Sequence, residues 1–191
     1  MGVLFKLSRV VGQRNWMETV LYSFCSQENC ADGAYPVGAP LIDQNGNMFG
    51  VTGSGGTTQC FNGVVGDCGV LYELTDDGTE KVLYNFCSLQ DCKDGLAPYG
   101  SLIADASGNL YGTTQAGGGY YDNGYEEFGA GTVFRFSNAT LETLHAFCAE
   151  TNCPDGAYPT TGVAIASFGD LFGTTAEGGP SQSGEVFELK P

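Results

Sequence analysis

Three copies of one short text constrain this chain more than any other feature. Glu18-Thr-Val-Leu-Tyr-Ser-Phe-Cys25 returns as Glu80-Lys-Val-Leu-Tyr-Asn-Phe-Cys87 and, more loosely, in the segment ending at Phe147-Cys148, with cysteine offsets of 62 and 61 residues. Each copy runs on into an Asp-Gly step (Asp32-Gly33, Asp94-Gly95, Asp155-Gly156) and then a hairpin pattern at Leu41 to Thr52, Leu102 to Thr114 and Val163 to Thr175. A Gly-x-Val-Phe-x-Leu outline closes the period and occurs four times, at Gly2 to Leu7, Gly69 to Leu74, Gly131 to Phe136 and Gly184 to Leu189. A period of this length means stacked, structurally equivalent units, each unable to bury its apolar face alone.

The units are β-structure. Their elements are short, rich in Val, Ile, Tyr, Phe and Thr, and bounded by Gly, Asn or Asp, whereas no stretch carries a capped apolar period of 3.6. Asn45-Gly46-Asn47 and Ser107-Gly108-Asn109 supply the positive φ angles of tight hairpins. Four short strands per unit is the pattern of a propeller blade. The fold class expected is therefore an all-β propeller of four-stranded antiparallel blades, one domain over residues 1–191. Its parts are a partial blade at 1–25, blades at 39–87 and 100–148, and a partial blade at 162–191. About three blade-equivalents cannot close a ring, so homodimerisation into a six-bladed ring is expected, with Glu18 to Phe24 of one copy completing the last blade of the other. The two long connections in each blade leave on one face, which is the expected binding face.

Eight cysteines fall in local pairs: Cys25 with Cys30, Cys87 with Cys92, Cys148 with Cys153, and Cys60 with Cys68. Even, local pairing reads as disulfides and an oxidising compartment, either extracellular or periplasmic. The zinc alternative is poorly served by a chain whose single histidine is His145. Met1 to Arg14 lacks the apolar core of a signal peptide, so an exported parent would have lost one or be longer than this sequence. Only 7 Lys or Arg stand against 22 Asp or Glu, a net charge of -15, which opposes binding to a phosphate backbone and excludes nucleic acid. No run of apolar residues is long enough for a membrane-spanning helix.

Candidate chemistry is sparse. Asp32, Asp94 and Asp155 repeat beside the cysteine pairs and would ring the channel mouth of a closed dimer. Clustered carboxylates of that kind suit calcium, and the competing reading is a turn that aims the chain inward. Asp43-Gln-Asn45-Gly46-Asn47 resembles the start of a calcium loop but lacks the later glutamate, and reads as a turn. Tyr120, Tyr121, Tyr125, Glu126, Glu127 and Phe128, aromatics beside acids in a Gly-rich loop, together with Tyr99 on an inner strand, form the candidate ligand-binding set for a glycan or other small molecule. Packing of that loop on a neighbouring blade is the other reading. His145 stands where the other units have Tyr22 and Tyr84, as a packing substitution, and no Gly-x-Ser-x-Gly elbow or second histidine supports nucleophilic catalysis. No catalytic residue is assigned.

The run Glu-Thr-Val-Leu-Tyr-Ser-Phe-Cys, then Asp-Gly-Ala-x-Pro, Leu-Ile-x-Asp-x-x-Gly-Asn-Leu-Tyr-Gly-Thr-Thr and Gly-Thr-Val-Phe, resembles the GloVer tandem repeat of exported bacterial proteins, often described with choice-of-anchor surface attachment. The resemblance spans Glu18 to Leu189 and implies a propeller-like fold and an extracellular setting, but no activity. Two departures, about three repeats where members usually carry more and an unmatched Ser8 to Met17, fit a fragment of a longer array. The function expected is an extracellular module for binding or surface display. The alternative is a calcium-dependent hydrolase of lactones, aryl esters or phosphotriesters acting in the channel, which rests on fold analogy. A truncated array with no selected function in this form is a third reading.

Overall fold

The computed structural model describes residues 1–12, 14–60, 64–65, 68–119 and 129–190. Among these, every regular element is a strand apart from single 3-10 turns at Glu28–Cys30 and Gln90–Cys92. β1 (Val3–Arg9) and β2 (Trp16–Ser23) form a two-stranded sheet. β3 (Ala34–Ile42), β4 (Met48–Ser54), β7 (Val70–Leu74) and β8 (Glu80–Asn85) form a four-stranded antiparallel sheet in that order. The next sheet repeats it with β9 (Leu96–Ala104), β10 (Leu110–Ala116), β11 (Thr132–Ser137) and β12 (Thr140–Ala146). β13 (Ala164–Ile165), β14 (Leu171–Thr174) and β15 (Val186–Leu189) make a three-stranded sheet, and β5 (Gln59–Cys60) and β6 (Val64–Val65) a small hairpin in the connection between β4 and β7.

Consecutive sheets stack face to face as propeller blades do, and the alternation along each strand supplies both faces. In β7, Leu71 points to the following sheet, where it joins Leu96, Leu102, Leu110 and Phe134, while Val70, Tyr72 and Leu74 pack back on Leu4 and Phe24. The next boundary is built the same way, from Tyr111, Val133 and Phe147 against Val163 and Leu171. One aromatic step recurs at all three boundaries. Phe24 meets Tyr72 with ring centroids 4.8 Å apart, Phe86 meets Phe134 at 5.2 Å, and Phe147 meets Phe187 at 5.1 Å, each edge to face. That is the geometry aromatic quadrupoles favour.

The inner strands begin at Ala34 and Leu96, upstream of the starts at 39 and 100 read from the sequence. Pro36 and Pro98 and a glycine conceal this strand in a one-dimensional reading, because both residue types are depleted in strands. Their placement shows why they are tolerated. The register of β3 on β4 slips between Val37 and Leu41, and that of β9 on β10 slips opposite Tyr111 to Thr113. At those bulges Gly38 and Gly100 take φ angles of +74° and +83°. A Cβ on Gly38 would lie 2.7 Å from the Gly100 carbonyl carbon and oxygen, and one on Gly100 would lie 2.2 Å from the Gly162 nitrogen. β3 therefore touches β9 backbone to backbone, and β9 touches the segment before β13 in the same way. Polar groups bridge the same seam: Ala39 N–H donates to Ser101 Oγ at 2.9 Å, and the Thr113 hydroxyl lies 2.7 Å from the Thr161 carbonyl oxygen.

Gly100→Ala combines a backbone clash with left-handed strain and is expected to cost about 2–4 kcal/mol. Gly108→Ala has the same sign of φ, +82°, but nothing near its Cβ, so only the conformational penalty of about 1 kcal/mol remains. Urea unfolding of the two variants checks the difference, and equal losses would contradict the inner-strand contact.

Candidate functional site

The most polar buried chemistry lies in the cysteine-clamped connections between sheets. Cys25–Cys30, Cys87–Cys92 and Cys148–Cys153 each close a short loop, and Cys60–Cys68 is a fourth disulfide, so all eight cysteines are paired as the spacing indicates. The aspartate of each Asp-Gly step turns its carboxylate back into the loop. Asp32 is fully buried and accepts from Tyr22 Oη at 2.9 Å, Ser26 N–H at 2.9 Å, Ser26 Oγ at 2.8 Å and Gln27 N–H at 3.2 Å. Asp94, also fully buried, accepts from Tyr84 Oη and Ser88 N–H at 2.7 Å and from Leu89 N–H at 3.1 Å. Asp155 pairs with His145 Nε2 at 2.9 Å and accepts from Cys148 N–H at 3.0 Å.

A repeated bulge aims the partner ring. The register of β2, β8 and β12 skips Leu21, Leu83 and Leu144, which puts Tyr22, Tyr84 and His145 beside the loop. His145 therefore does the work of the tyrosines, bonding the aspartate while its ring packs edge-on against Phe147, 4.7 Å away. Burial alone would raise the Asp32 carboxyl, but the Ser26, Tyr22 and Gln27 donors outweigh it and hold the group below the usual carboxylate range. Burial, then the bond to Asp94, pushes the Tyr84 phenol well up.

These three carboxylates sit in separate connections and form no common cluster. Among the described residues, the one trio of ligand-type atoms within 4.8 Å of one another is the sulfurs of Cys60, Cys68 and Cys87, and all three are disulfide-bonded. Asp43, at the hairpin resembling a calcium loop, accepts from the N–H groups of Asn45 and Asn47 and from Asn47 Nδ2, a turn in which the side chain caps the backbone. Tyr99 lies on β9, 42% exposed, with its carbonyl accepting from Thr113 Oγ1 at 3.0 Å. Tyr120, Tyr121, Tyr125, Glu126, Glu127 and Phe128 lie outside the described residues.

Two features escape a sequence reading. An apolar cleft of about 290 Å³ opens between the two complete blades, lined by Leu41, Phe49, Leu83, Leu110 and Phe136 with Asn138 at its rim. The second is Glu80, whose Oε1 is buried without a hydrogen-bond partner among the described residues. Burial, then the charge of Asp32, pushes its carboxyl up to about 7. The repeat places a glutamate at this position in two copies, Glu18 and Glu80, and the apolar Leu141 in the third, but it does not show that Glu80 lies beside Asp32.

The profile of the Gloeobacter/Verrucomicrobia repeat matches residues 1–191. The chain belongs to this repeat family. No curated protein matches it. Among solved structures it is similar to an X-ray structure of a protein provisionally assigned as a gluconolactonase, at 15% identity and a TM-score of 0.47. The alignment covers 94% of this chain but 56% of that one, so the chain spans about half its length.

Two outcomes follow from the buried acids. Asp94→Ala strands two loop N–H groups and a phenol, and is expected to cost about 2–4 kcal/mol in urea unfolding with the disulfides intact; a loss below 1 kcal/mol would contradict the clamp. Glu80 binds its proton more tightly folded, near pH 7, than unfolded, near 4.5. Its contribution is therefore fully present below about pH 4.5 and is lost as pH rises through about 7. Glu80→Gln is expected to gain in Tm over the parent as pH is raised from 5 to 8. A Tm difference between variant and parent that stays constant or moves toward the parent over that range would contradict this.

Proposed function

We propose that the chain is an extracellular, non-catalytic propeller module for binding or surface display, and that two copies close it into a six-bladed ring. The observation that carries the non-catalytic reading is the state of the repeated aspartates. Each spends its carboxylate on the loop's own donors, as a structural device repeated in every blade would. Four disulfides support an oxidising, extracellular setting; among the described residues, no helix is long and apolar enough to cross a membrane. An acidic, basic-poor surface favours neutral or cationic ligands over phosphorylated ones, which keeps glycans and small neutral molecules as the ligand class.

Ring closure draws on strand arithmetic. The two-, four-, four- and three-stranded sheets hold thirteen blade strands, one more than three full blades, and two copies supply six. The alternative, a calcium-dependent hydrolase in the channel, would require Asp32, Asp94 and Asp155 to exchange backbone donors for a cation.

A panel of lactones, aryl esters and phosphotriesters, assayed with calcium and with a chelator, separates the two. No turnover above buffer and no change of Tm on chelation are expected. Chelator-sensitive turnover would overturn the proposal and establish the hydrolase.

A further inference from the structure

We infer that the ring closes by strand replacement: the β1–β2 hairpin of a second copy takes the place of β15 in the three-stranded sheet. This deepens the two-copy ring proposed above and rests on it.

The interior boundaries define what the ends lack. At each, the aromatic at one repeat position (Tyr72, Phe134, Phe187) packs against the phenylalanine ending the preceding outer strand (Phe24, Phe86, Phe147). Phe5 holds that position in β1, yet it is 51% exposed and shares its face with the exposed Val3, Leu7 and Val20. The neighbouring position points to the following blade and is buried in Leu4, Leu71 and Val133, whereas Val186 is 75% exposed. The β1–β2 hairpin thus exposes the face that interior blades bury against their predecessor, and β15 exposes the position that interior blades bury against their successor.

Where the complete blades carry an outer strand, the last sheet leaves a groove of about 330 Å³ lined by His145, Phe147, Asp155 and the strand β15. In the interior, Glu80 of the outer strand lies beside the Tyr22–Asp32 pair of the preceding blade. By the repeat, β2 of a second copy would bring Glu18 over His145–Asp155 in the same way.

Both ends supply a strand for the third position of that blade, β15 from one copy and β1 from the other, so one is displaced or the blade gains a fifth strand. β1 pairs with β2 along all 7 of its residues, while β15 offers 4 residues to β14. Keeping β15 would require separating β1 from β2, the longer ladder. Replacement also sets Val3 and Lys6 where Glu185 and Glu188 stand, which removes two carboxylates from a joint between chains of net charge -15. In the replaced blade Phe5 packs on Phe147, as Phe187 does within one chain.

Two exposed residues test the choice. Sedimentation equilibrium of the full chain, its Phe5→Asp variant and its Val186→Asp variant gives the dimer dissociation constant, with far-UV circular dichroism verifying that each variant is folded. Strand replacement is expected to show at least tenfold weaker pairing for Phe5→Asp and a change under twofold for Val186→Asp. The reverse pattern means that β15 stays and β1 yields, and loss of pairing in both variants means that both strands remain in the joint. Either overturns strand replacement and leaves the ring intact. A parent chain that is monomeric at every concentration overturns the ring itself.

Discussion

The stacking of this chain depends on how closely two inner strands can approach. In β3 the backbone bulges at Gly38 until it touches β9, and in β9 it bulges at Gly100 until it touches the segment leading into β13, with no side chain between. Only a residue without Cβ fits, and only one that accepts positive φ can form the bulge. Away from that contact, the space between the sheets is filled by larger groups. Thr113 bridges the seam close in, Leu71, Leu96 and Leu102 fill the middle, and the phenylalanine steps Phe24–Tyr72, Phe86–Phe134 and Phe147–Phe187 fill the outer rim. A boundary built this way repeats with little variation, which is why one period serves the whole chain.

The connections between blades need a different kind of support, because they carry many backbone N–H groups and little apolar surface. A buried carboxylate answers that need, as it accepts several donors at once and forms strong bonds in a site of low dielectric. Asp32 and Asp94 gather the loop around themselves, a disulfide closes its neck, and a tyrosine from the bulged outer strand covers the remaining lone pair. His145 substitutes at the third loop because an imidazole, like a phenol, presents a planar apolar ring with a polar tip. The series that most resembles a metal site in one dimension is thus, in three, a set of separate clamps. Glu80 is the exception to this economy, since a second carboxylate beside Asp32 gains no donor for Oε1 among the described residues and is pushed up to about 7 instead.

Sequence periodicity made the blades legible because each strand's alternation and each turn's Asn-Gly or Ser-Gly signature are local properties. The pairings of β7 with β8 and β11 with β12 follow from turns of a few residues, and the cysteine pairs follow from spacing alone. The full length of β3 and β9 was hidden, since Pro36, Gly38, Pro98 and Gly100 read locally as breakers and are explained only by the neighbouring strand they meet. Glu80 was invisible for the same reason: its chemistry is set first by burial and then by Asp32, which lies 48 positions away in sequence.

The proposed ring joins the exposed face of the β1–β2 hairpin to the exposed face of the last sheet. The most direct measurement is electron-microscopic imaging of the purified chain, with end-on views averaged so that blades can be counted. A closed ring of six equal blades around a channel, at twice the 20.0 kDa chain mass, is the expected result. An open arc of about three blades from a single chain would contradict it.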